Sequence, residues 1–425
     1  MNEKAQQLWI DRAAQVLPAG GFGNFDPGIV IREGKGARVW DEDGNEYVDF
    51  LIGSGPMILG HGHPEVIEAV EEQLIKGMTF FASNARGIEL AEEISSAVAC
   101  ADQIRYVSTG GEADMYAIRL ARAHTKRDKI IKFEGGFHGM SAESLMSLAP
   151  NRSQNFPLAI PDSAGIPNSV RDDVLIAPFN DIAFIQSLIN EHHDDIAGVI
   201  VEPFQRLIPP VSGFLETLRE ETEKHGIVLI FDEVVTGFRL SYGGAQEHYG
   251  VVPDLCTLGK IIGGGFPLAA VAGKAEFMAH FDRRKSGEDG FTYQIGTLSG
   301  NPVAAVAGLK TLEILKRHGN YERLRKNGET VMRALRDCLS EVGIDHQIVG
   351  DPVLFDVVFT NTSVTNYREF MHGDPNLSSR FNQLLREKGI LKPDSKFYVS
   401  LALDDNDLAQ TVGAIAHAAA HMIDD

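Results

Sequence analysis

The chain has 425 residues, of which 44 % are hydrophobic and 23 % are charged, a composition typical of folded water-soluble proteins. Its net charge of −20 and the lack of any run of five basic residues argue against nucleic-acid binding. Three widely spaced cysteines argue against a disulfide framework or a zinc cluster. No apolar run reaches the roughly 20 residues that span a bilayer, and the N-terminus does not resemble a signal peptide. We therefore expect a cytoplasmic protein without a membrane partner.

The first segment predicts an amphipathic helix and then a glycine-rich turn, PAGGFGNFDPG (18–28). The next stretch, GARVWDEDGNEYVDF (36–50), predicts two strands joined at Asp43-Gly44, a dipeptide typical of hairpin turns. We assign residues 1–64 to the N-terminal part of a small domain.

From about residue 65, short apolar runs alternate with amphipathic helical segments. This alternation predicts an α/β domain over residues 65–320, with a mostly parallel sheet covered by helices on both faces. The connection between the last two strands is short, so we expect one antiparallel strand at an edge. The predicted strands cover 104–108, 129–133, 174–178, 198–203, 227–232, 255–259 and 269–273.

The end of the chain, residues 321–425, predicts the C-terminal part of the small α+β domain. It combines strand-like stretches at 355–360 and 397–403 with helical patterns. A long helical stretch after Asn301-Pro302 runs past residue 330 and is expected to connect the two domains.

Residues that follow the strands are the first candidates for a site, because ligands bind beyond the carboxyl ends of parallel strands. The turn 109–111 opens a helix and either binds a phosphate through its N–H groups or is an ordinary turn. Phe137 follows the next strand and is either a ring-stacking platform or part of the core. Asp232 and Lys260 stand at the ends of two further strands. The plain structural alternatives are a helix cap for Asp232 and a surface lysine for Lys260.

Together these residue types match the needs of pyridoxal 5′-phosphate (PLP). That cofactor takes a lysine, a carboxylate for its pyridine nitrogen, an apolar clamp and a phosphate-binding turn. His61 and His63, in GHGHP, lack a third ligand in the sequence, so we prefer a helix-entry turn there and predict no metal site.

The segment DEVVTGFRLSYGGAQEHYGVVPDLCTLGKIIGGGFP (232–267) closely resembles the PLP-lysine signature of class III aminotransferases, especially the glutamate-1-semialdehyde aminomutase branch. RDKIIKFEGGFHG, GVIVEP, GTLSGNP and GHGHPEV resemble other parts of the same family. The resemblance implies a fold type I enzyme with a seven-stranded large domain, a small domain from both chain ends, and a homodimer with shared active sites.

The resemblance also implies roles for individual residues. Lys260 would be the Schiff-base lysine, Asp232 the partner of the pyridine nitrogen, and Val234 and Phe137 the contacts to the two ring faces. The other implied cofactor residues are Thr109, Gly110, Gly111, His138, Glu202 and Thr297, the last reaching the phosphate of the neighbouring subunit. Ser54 and Gly55 would lie near the substrate.

The chain also departs from the family pattern. Gly111 replaces a hydroxyl residue of the usual phosphate turn, so the phosphate would depend on backbone N–H groups. Many amino-acid aminotransferases of this class carry an arginine near the C-terminus for the substrate carboxylate, where this chain has only Lys392 and Lys396. The aminomutase branch instead has an arginine in its N-terminal turn, where this chain reads AGGFGNFDPG, and that difference weakens the aminomutase hypothesis. We propose Arg206 as a replacement clamp, with a salt bridge at the surface or at a subunit interface as the plain alternative and Arg239 as a second candidate.

Three functions follow in order of preference. The first is a PLP-dependent aminotransferase that moves an amino group between an amino acid or amine and a keto acid or aldehyde through a Lys260 aldimine. The second is glutamate-1-semialdehyde 2,1-aminomutase, which performs the same chemistry within one substrate. The third is a non-catalytic binding protein on the same fold, which need not keep both Asp232 and Lys260.

Overall fold

The computed structural model describes residues 4–422, which divide into two compact units. The smaller unit contains the residues up to 64, 318–363 and those from 372 onward, and the larger contains 65–317 and 364–371. The short segment 364–371 lies in the larger unit, although the sequence pattern assigns it to the C-terminal small domain. Within residues 4–422 no helix is long and apolar enough to cross a membrane.

The strands of the described chain are numbered in chain order. They are β1 (Ile31–Lys35), β2 (Arg38–Asp41), β3 (Glu46–Asp49), β4 (Gln103–Val107), β5 (Lys129–Phe133), β6 (Val174–Ala177), β7 (Ile196–Val201), β8 (Val228–Glu233), β9 (Leu255–Leu258), β10 (Ala269–Gly273), β11 (Gln347–Asp351), β12 (Leu354–Val358), β13 (Ile390–Leu391) and β14 (Phe397–Tyr398).

The α-helices are numbered in the same way. They are α1 (Lys4–Val16), α2 (Pro64–Lys76), α3 (Ala85–Ala97), α4 (Gly110–Thr125), α5 (Asn168–Asp172), α6 (Ile182–His192), α7 (Phe214–His225), α8 (Gly244–Tyr249), α9 (Ala275–Met278), α10 (Arg283–Ser286), α11 (Pro302–Leu315), α12 (Asn320–Glu341), α13 (Tyr367–Phe370), α14 (Pro375–Glu387) and α15 (Asp405–His421).

The larger unit is built on a seven-stranded sheet in the order β4-β10-β9-β8-β7-β5-β6. The strands β6, β5, β7, β8 and β9 pair in parallel, as the alternating pattern predicts. The antiparallel strand is β10, which pairs with both β9 and β4. The expectation of an antiparallel edge strand is therefore wrong in position, because β4 adds outside β10 and takes the edge.

The centre of this sheet is buried on both faces, which explains its continuous apolar sequence. All residues of β7, β8 and β9 are buried, including the two carboxylates that end β8. Helix α4 packs on the sheet through small and aliphatic side chains, such as Ala117 and Ala121. The carboxyl ends of the central strands and the N-terminus of α4 meet at one edge.

The smaller unit has two sheets, β1-β2-β3-β13 and β11-β12-β14. The predicted hairpin joins β2 to β3, and Gly44 takes a positive φ of 85° in its turn. The Asp41 carboxylate stabilises that turn by accepting hydrogen bonds from the N–H groups of Asp43 and Asn45, at 3.1 and 2.8 Å. Helix α12 packs against α15 in the same unit.

Candidate active site

Asp232 lies at the carboxyl end of the central strand β8 and is buried. Its Oδ2 is 2.8 Å from Nδ1 of His138, and its Oδ1 accepts a hydrogen bond from the Val234 N–H at 3.0 Å. The Thr257 hydroxyl is a third, longer contact, 3.4 Å from Oδ1. A buried carboxylate is tolerated only where such partners replace water. The structure therefore brings together Asp232 and His138, two of the residues that the sequence analysis assigns to the site.

The adjacent carboxylate, Glu233, has a different role. Successive residues of a strand point to opposite faces, and Glu233 accepts hydrogen bonds from the Ala245 N–H at 2.5 Å and from Gln246 Nε2 and Thr236 Oγ1 at 3.0 Å each. It thus holds the start of α8 and the turn after β8. Burial raises the pKa of Glu233, and these hydrogen bonds oppose that shift.

A second buried carboxyl group, on Asp114 of α4, lies beside Asp232. The Thr257 hydroxyl is 2.6 Å from its Oδ1 and links the two acids. Burial raises the pKa of Asp114 well above its usual value, and the charge of Asp232 raises it further, whereas the positive charge of Lys260 opposes the shift. The charge of Lys260 therefore acts within the same cluster.

Lys260 is separated from β9 by Gly259 alone and has a positive φ of 48°, which is uncommon for a residue with a side chain. Strained backbone of this kind concentrates at functional sites. The glycines that follow permit the tight packing of this loop. A Cβ on Gly264 would lie 2.5 Å from the backbone of Ala307 in α11, so only glycine allows that approach.

The turn before α4 has the features of an anion site. Thr109 caps the helix by accepting a hydrogen bond from the Glu112 N–H at 3.2 Å, and Glu112 accepts one from the Thr109 N–H at 3.1 Å. Within residues 4–422, the N–H groups of Gly110 and Gly111 have no hydrogen-bond partner. Free N–H groups at a helix N-terminus suit a phosphate.

Two close backbone approaches shape this turn. A Cβ on Gly110 would lie 2.8 Å from Cγ1 of Val234, so Val234 packs directly against the turn. A Cβ on Gly111 would lie 3.0 Å from Cα of Gly139, in the loop that also contains His138. The residues that follow β4, β5 and β8 therefore converge at one place.

Phe137 is positioned by Glu202, which follows β7. The Phe137 N–H donates to Oε2 of Glu202 at 2.9 Å, and Glu202 is itself buried. Phe137 is partly exposed, which leaves its ring accessible to a ligand. Glu202 thus contacts the ring-bearing loop, and its predicted contact with the cofactor stays a prediction.

Arg206 stands beside that ring, with its guanidinium carbon 5.2 Å from the centroid of Phe137. Gln205 and Ile208 exchange two backbone hydrogen bonds, at 2.9 and 2.8 Å, and close a tight turn in which Arg206 takes a φ of 61°. Among residues 4–422 it forms no ion pair, so the surface salt bridge considered as its alternative is not formed there. A constrained, partly buried cation beside an aromatic ring suits an anionic ligand group.

Two buried polar atoms at the same place lack a partner in the described part of the chain. They are Nε2 of His138 and Oε1 of Gln205. A Cβ on Gly136 would lie 3.1 Å from the first and 3.6 Å from the second, so both face the space above this glycine. Buried atoms without partners indicate that a ligand or ordered water belongs here.

Other predicted residues lie elsewhere. Ser54 and Gly55 belong to the smaller unit, in a turn where they take φ values of 64° and 111°. Thr297 is exposed on the segment before α11. His61 contacts Asp49, with Nε2 2.8 Å from Oδ2, in the turn that precedes α2. Arg239 is almost fully buried.

Asp114, Thr257 and Gln205 are not predicted from the sequence as site residues. Asp114 lies among apolar residues of α4, one turn after Gly110, and Thr257 is the polar residue in the apolar strand LCTL. A polar residue in an otherwise apolar buried stretch is the signal that identifies such positions. One side-chain nitrogen or oxygen atom of each of Asp114, His138 and Asp232 lies within 4.8 Å of the other two. The hydrogen bonds described above connect these residues, directly between His138 and Asp232 and through Thr257 to Asp114.

Residues 23–419 match the family Aminotransferase class-III. The chain belongs to the class III aminotransferases. It is 43 % identical over 392 residues, 91 % of this chain and 90 % of the relative, to glutamate-1-semialdehyde 2,1-aminomutase 2 of Brevibacillus brevis. It is 39 % identical, over 97 % of both chains, to the glutamate-1-semialdehyde 2,1-aminomutase of Methanosphaera stadtmanae.

Among solved structures, an omega-transaminase from Sphaerobacter thermophilus superposes with a TM-score of 0.94 at 35 % identity, covering 99 % of this chain and 98 % of that one. A transaminase with PLP bound superposes with a TM-score of 0.90 at 30 % identity, covering 100 % and 99 %. The family, the fold type I architecture and PLP as cofactor are thereby confirmed. The chain is an enzyme, and the reading as a non-catalytic binding protein is not supported.

The residues of this class III enzyme fit PLP. The free N–H groups of the 110–111 turn suit its phosphate, and the buried Asp232 suits a protonated ring nitrogen. The charge of Lys260 acts within the same cluster. An anion site, an acid and a lysine are therefore available at one edge of one sheet.

Proposed function

We propose that this class III enzyme transfers an amino group between two different molecules, an amino acid or amine and a keto acid or aldehyde. The observation that carries the proposal is the cluster at the end of β8. There a buried Asp232 accepts hydrogen bonds from neighbouring donors, and the positive charge of Lys260 acts on the adjoining Asp114. Such a pair of acid and lysine is what amino transfer requires.

Each residue of the cluster has a proposed task. Bound PLP supplies an electron sink next to the reacting carbon. The Asp232 carboxylate would hold the proton on the ring nitrogen, and His138 keeps that carboxylate in place through its 2.8 Å contact. The Lys260 amine would bind the cofactor covalently and, once released, carry the proton to and from the substrate carbon. Phe137 and Val234 would contact the ring faces and exclude water.

Arg206 is proposed to bind a substrate carboxylate. Its guanidinium lies against Phe137 and forms no ion pair within residues 4–422, so it has donors to offer. A planar guanidinium binds a carboxylate through two parallel hydrogen bonds. The aromatic ring beside it lowers water access and strengthens that interaction. We therefore expect at least one substrate to carry a carboxylate.

Aminomutase activity is the second candidate, and the names of the relatives at 39–43 % identity favour it. The aminomutase branch that this chain resembles has an arginine in its N-terminal turn. The corresponding glycine-rich turn of this chain, residues 18–28, contains no arginine. Phe22 and Phe25 stand in that turn instead and make it more apolar. This composition favours transfer between two molecules.

The distinguishing experiment is a screen of single amines against the PLP-loaded enzyme. With a suitable amino donor, an aminotransferase converts its cofactor to the amine form. Pyruvate or 2-oxoglutarate then restores the aldehyde form of the cofactor, and the corresponding amino acid is the product. An aminomutase converts glutamate-1-semialdehyde to 5-aminolevulinate without either acceptor. Turnover of glutamate-1-semialdehyde alone, with no acceptor-dependent product from any donor, would contradict the proposal.

We also infer that the enzyme works as a homodimer, with Thr297 serving the cofactor of the neighbouring subunit. Thr297 is exposed, and its neighbours Ile295 and Leu298 are exposed apolar residues at 61 % and 46 %. Phe81 and Ile88, which line the same open cavity of about 1040 Å³ as Ile295, are also exposed. Clustered exposed apolar residues support an interface with another chain. Cytoplasmic location stays a prediction.

A further inference from the structure

The strongest unassigned feature of the site is the second acid, Asp114. Its carboxyl group is 1 % exposed and lies in the first turns of α4, facing the sheet. The Thr257 hydroxyl lies 2.6 Å from its Oδ1, within hydrogen-bond distance. The same hydroxyl is 3.4 Å from Oδ1 of Asp232. Asp114 is thus connected to the acid of the site through one shared hydroxyl group.

The number of protons shared by Asp114, Thr257 and Asp232 restricts which of the two acids is charged. The Thr257 hydroxyl has one proton and can donate to only one of its two carboxyl neighbours at a time. Two carboxylates close together in a dry site cannot both stay charged at low cost. Asp232 has two further donors, the Val234 N–H and Nδ1 of His138, whereas within residues 4–422 Asp114 has none besides Thr257. The charge therefore belongs on Asp232 and the proton on Asp114.

We propose that Asp114 is a neutral carboxylic acid that donates its proton in a hydrogen bond to Thr257, so that the Thr257 hydroxyl donates to Asp232 and fixes that carboxylate in its charged, oriented form. Asp114 is then a positioning residue that acts through Thr257 and Asp232. The proposal deepens the function proposed above and rests on Asp232 as the partner of the ring nitrogen.

The surroundings of Asp114 support this arrangement. The elements packed on α4 present Asp232 from β8 and Thr257 from β9, and the charges of Glu202 and Lys260 also act on it. Strand β10, also packed on α4, contributes AAVAG and no charged group. Burial and the charges of Asp232 and Glu202 favour the neutral form of Asp114, and the charge of Lys260 opposes it. Neutral Asp114 also leaves the negative charge of Asp232 for His138 and the cofactor nitrogen to share.

The first test asks where the proton is, and it needs no turnover. We expect the infrared difference spectrum of wild-type enzyme minus the Asp114→Asn variant, at neutral pH, to contain the carbonyl band of a protonated carboxylic acid. Asparagine keeps the shape and a donor to Thr257, so this variant is expected to fold and to load with PLP. A difference spectrum with a carboxylate band in its place would overturn the proposal.

The second test asks whether the proton matters to the site. Thr257→Val, which removes the hydroxyl but keeps the shape, should lower kcat about tenfold at unchanged KM, and Asp114→Asn, which keeps a donor to Thr257, should lower kcat by a smaller factor. Thr257→Ser, which restores the hydroxyl, should recover the activity. The pH at which the absorbance of the bound cofactor titrates should shift in Thr257→Val and not in Asp114→Asn.

The outcomes separate this proposal from the function on which it rests. If Thr257→Val titrates like the wild type, or if Asp114→Asn loses as much activity as Thr257→Val, Asp114 does not act as a neutral donor. If Asp232→Asn leaves the cofactor absorbance unchanged, the role of Asp232 itself is wrong. The infrared result on Asp114 stands in either case, because it reports the proton on that carboxyl group alone.

Discussion

The two acidic side chains at the end of β8 have different surroundings. Asp232 and Glu233 are adjacent buried carboxylates, but Glu233 accepts hydrogen bonds from the start of α8. Asp232 instead contacts His138, one of the residues proposed to bind the cofactor. Replacing Glu233 removes the hydrogen-bond acceptor of Thr236, Ala245 and Gln246, so we expect it to lower the stability of the fold. Replacing Asp232 is expected to affect the cofactor. Position along the strand therefore decides which acid is left available to a ligand.

Arg206 gives the clearest test of substrate class at this scale. We expect Arg206→Ala to raise KM for carboxylated substrates about 10- to 100-fold, because a charged hydrogen-bonded contact contributes ~1.5–3 kcal/mol. KM for amines without a carboxylate should stay unchanged. Steady-state kinetics on a matched pair of donors, with and without the carboxylate, measures this.

The control for that experiment is Arg171→Ala, which removes an exposed arginine next to Asp172. It is expected to leave both KM values unchanged. If Arg206→Ala weakens simple amines as much as carboxylated ones, Arg206 supports the turn or the Phe137 ring and is not a carboxylate clamp.

Lys132, in the middle of β5, makes stability depend on pH. It is fully buried, its Nζ donates to the carbonyl oxygens of Ser144 and Met146 at 2.8 and 2.5 Å, and burial lowers its pKa to about 7. Between that value and the ordinary value of 10.5, the unfolded chain binds a proton that the folded chain does not. Stability contributed by this group therefore rises with pH across that window, by at most ~1.4 kcal/mol per pH unit.

We expect Lys132→Met to lose this contribution, so that the free energy of unfolding rises less steeply with pH than in the wild type. Urea unfolding at several pH values from 7 to 10 compares the slopes of the two proteins, with the exposed Lys224→Met as a control that keeps the wild-type slope. An unchanged slope in Lys132→Met would show that Lys132 stays charged in the folded state.

The sequence locates Lys260, Asp232 and Phe137 because each follows an apolar run within four residues, and the ends of parallel strands meet. It does not locate Asp114, because that residue sits within a helix whose register decides what its side chain faces. It also cannot anticipate that Arg206 occupies a turn with positive φ, since that turn depends on the pairing of Gln205 with Ile208.

Among the elements, two loops carry the site by close backbone contact. The turn that opens α4 and the loop after β5 touch at Gly111 and Gly139, and Gly139 has a φ of 84°. We expect Gly139→Ala to force these loops apart and to weaken PLP binding about tenfold or more, since a left-handed φ alone costs ~1–2 kcal/mol. Cofactor titration of the apoenzyme by absorbance measures the affinity.

The matched control is Gly165→Ala. Gly165 has a similar φ of 86°, but a Cβ there would meet no atom within 4 Å. It should therefore lower stability slightly and leave PLP affinity unchanged. If both variants lose affinity equally, backbone strain and not the contact with Gly111 is responsible.

The strands of the larger unit are predictable from sequence, with ends displaced by one or two residues. The continuous apolar runs of β7, β8 and β9 have no other stable placement than a buried sheet. The predicted strand at 397–403 is different, because only Phe397–Tyr398 pairs in a ladder. The backbone beyond it bonds elsewhere in the smaller unit, with the Leu401 N–H donating to the Ile58 carbonyl at 2.7 Å.

At the scale of the whole molecule, the exposed apolar residues near Thr297 predict assembly. Phe81 and Ile88 are 70 % and 53 % exposed and line the same cavity as Ile295. We expect Ile295→Asp to shift the enzyme from dimer to monomer, because a charge in an apolar interface is desolvated without a partner. Light scattering coupled to size-exclusion chromatography measures the mass directly.

The control for assembly is Leu158→Asp, which changes an apolar residue of similar exposure, 62 %, away from that cavity. It should leave the mass unchanged. A wild-type mass of one chain, or an Ile295→Asp variant with the wild-type mass, would contradict an interface on this surface.

We propose that Asp232 and Lys260 belong to one PLP site. Borohydride reduction of the PLP-loaded enzyme, followed by peptide mapping by mass spectrometry, tests this at the covalent bond itself. We expect a single pyridoxyl phosphate adduct on Lys260, and none on Lys132, the buried lysine of β5. An adduct on any other lysine, or no adduct on an enzyme that contains PLP, would contradict it.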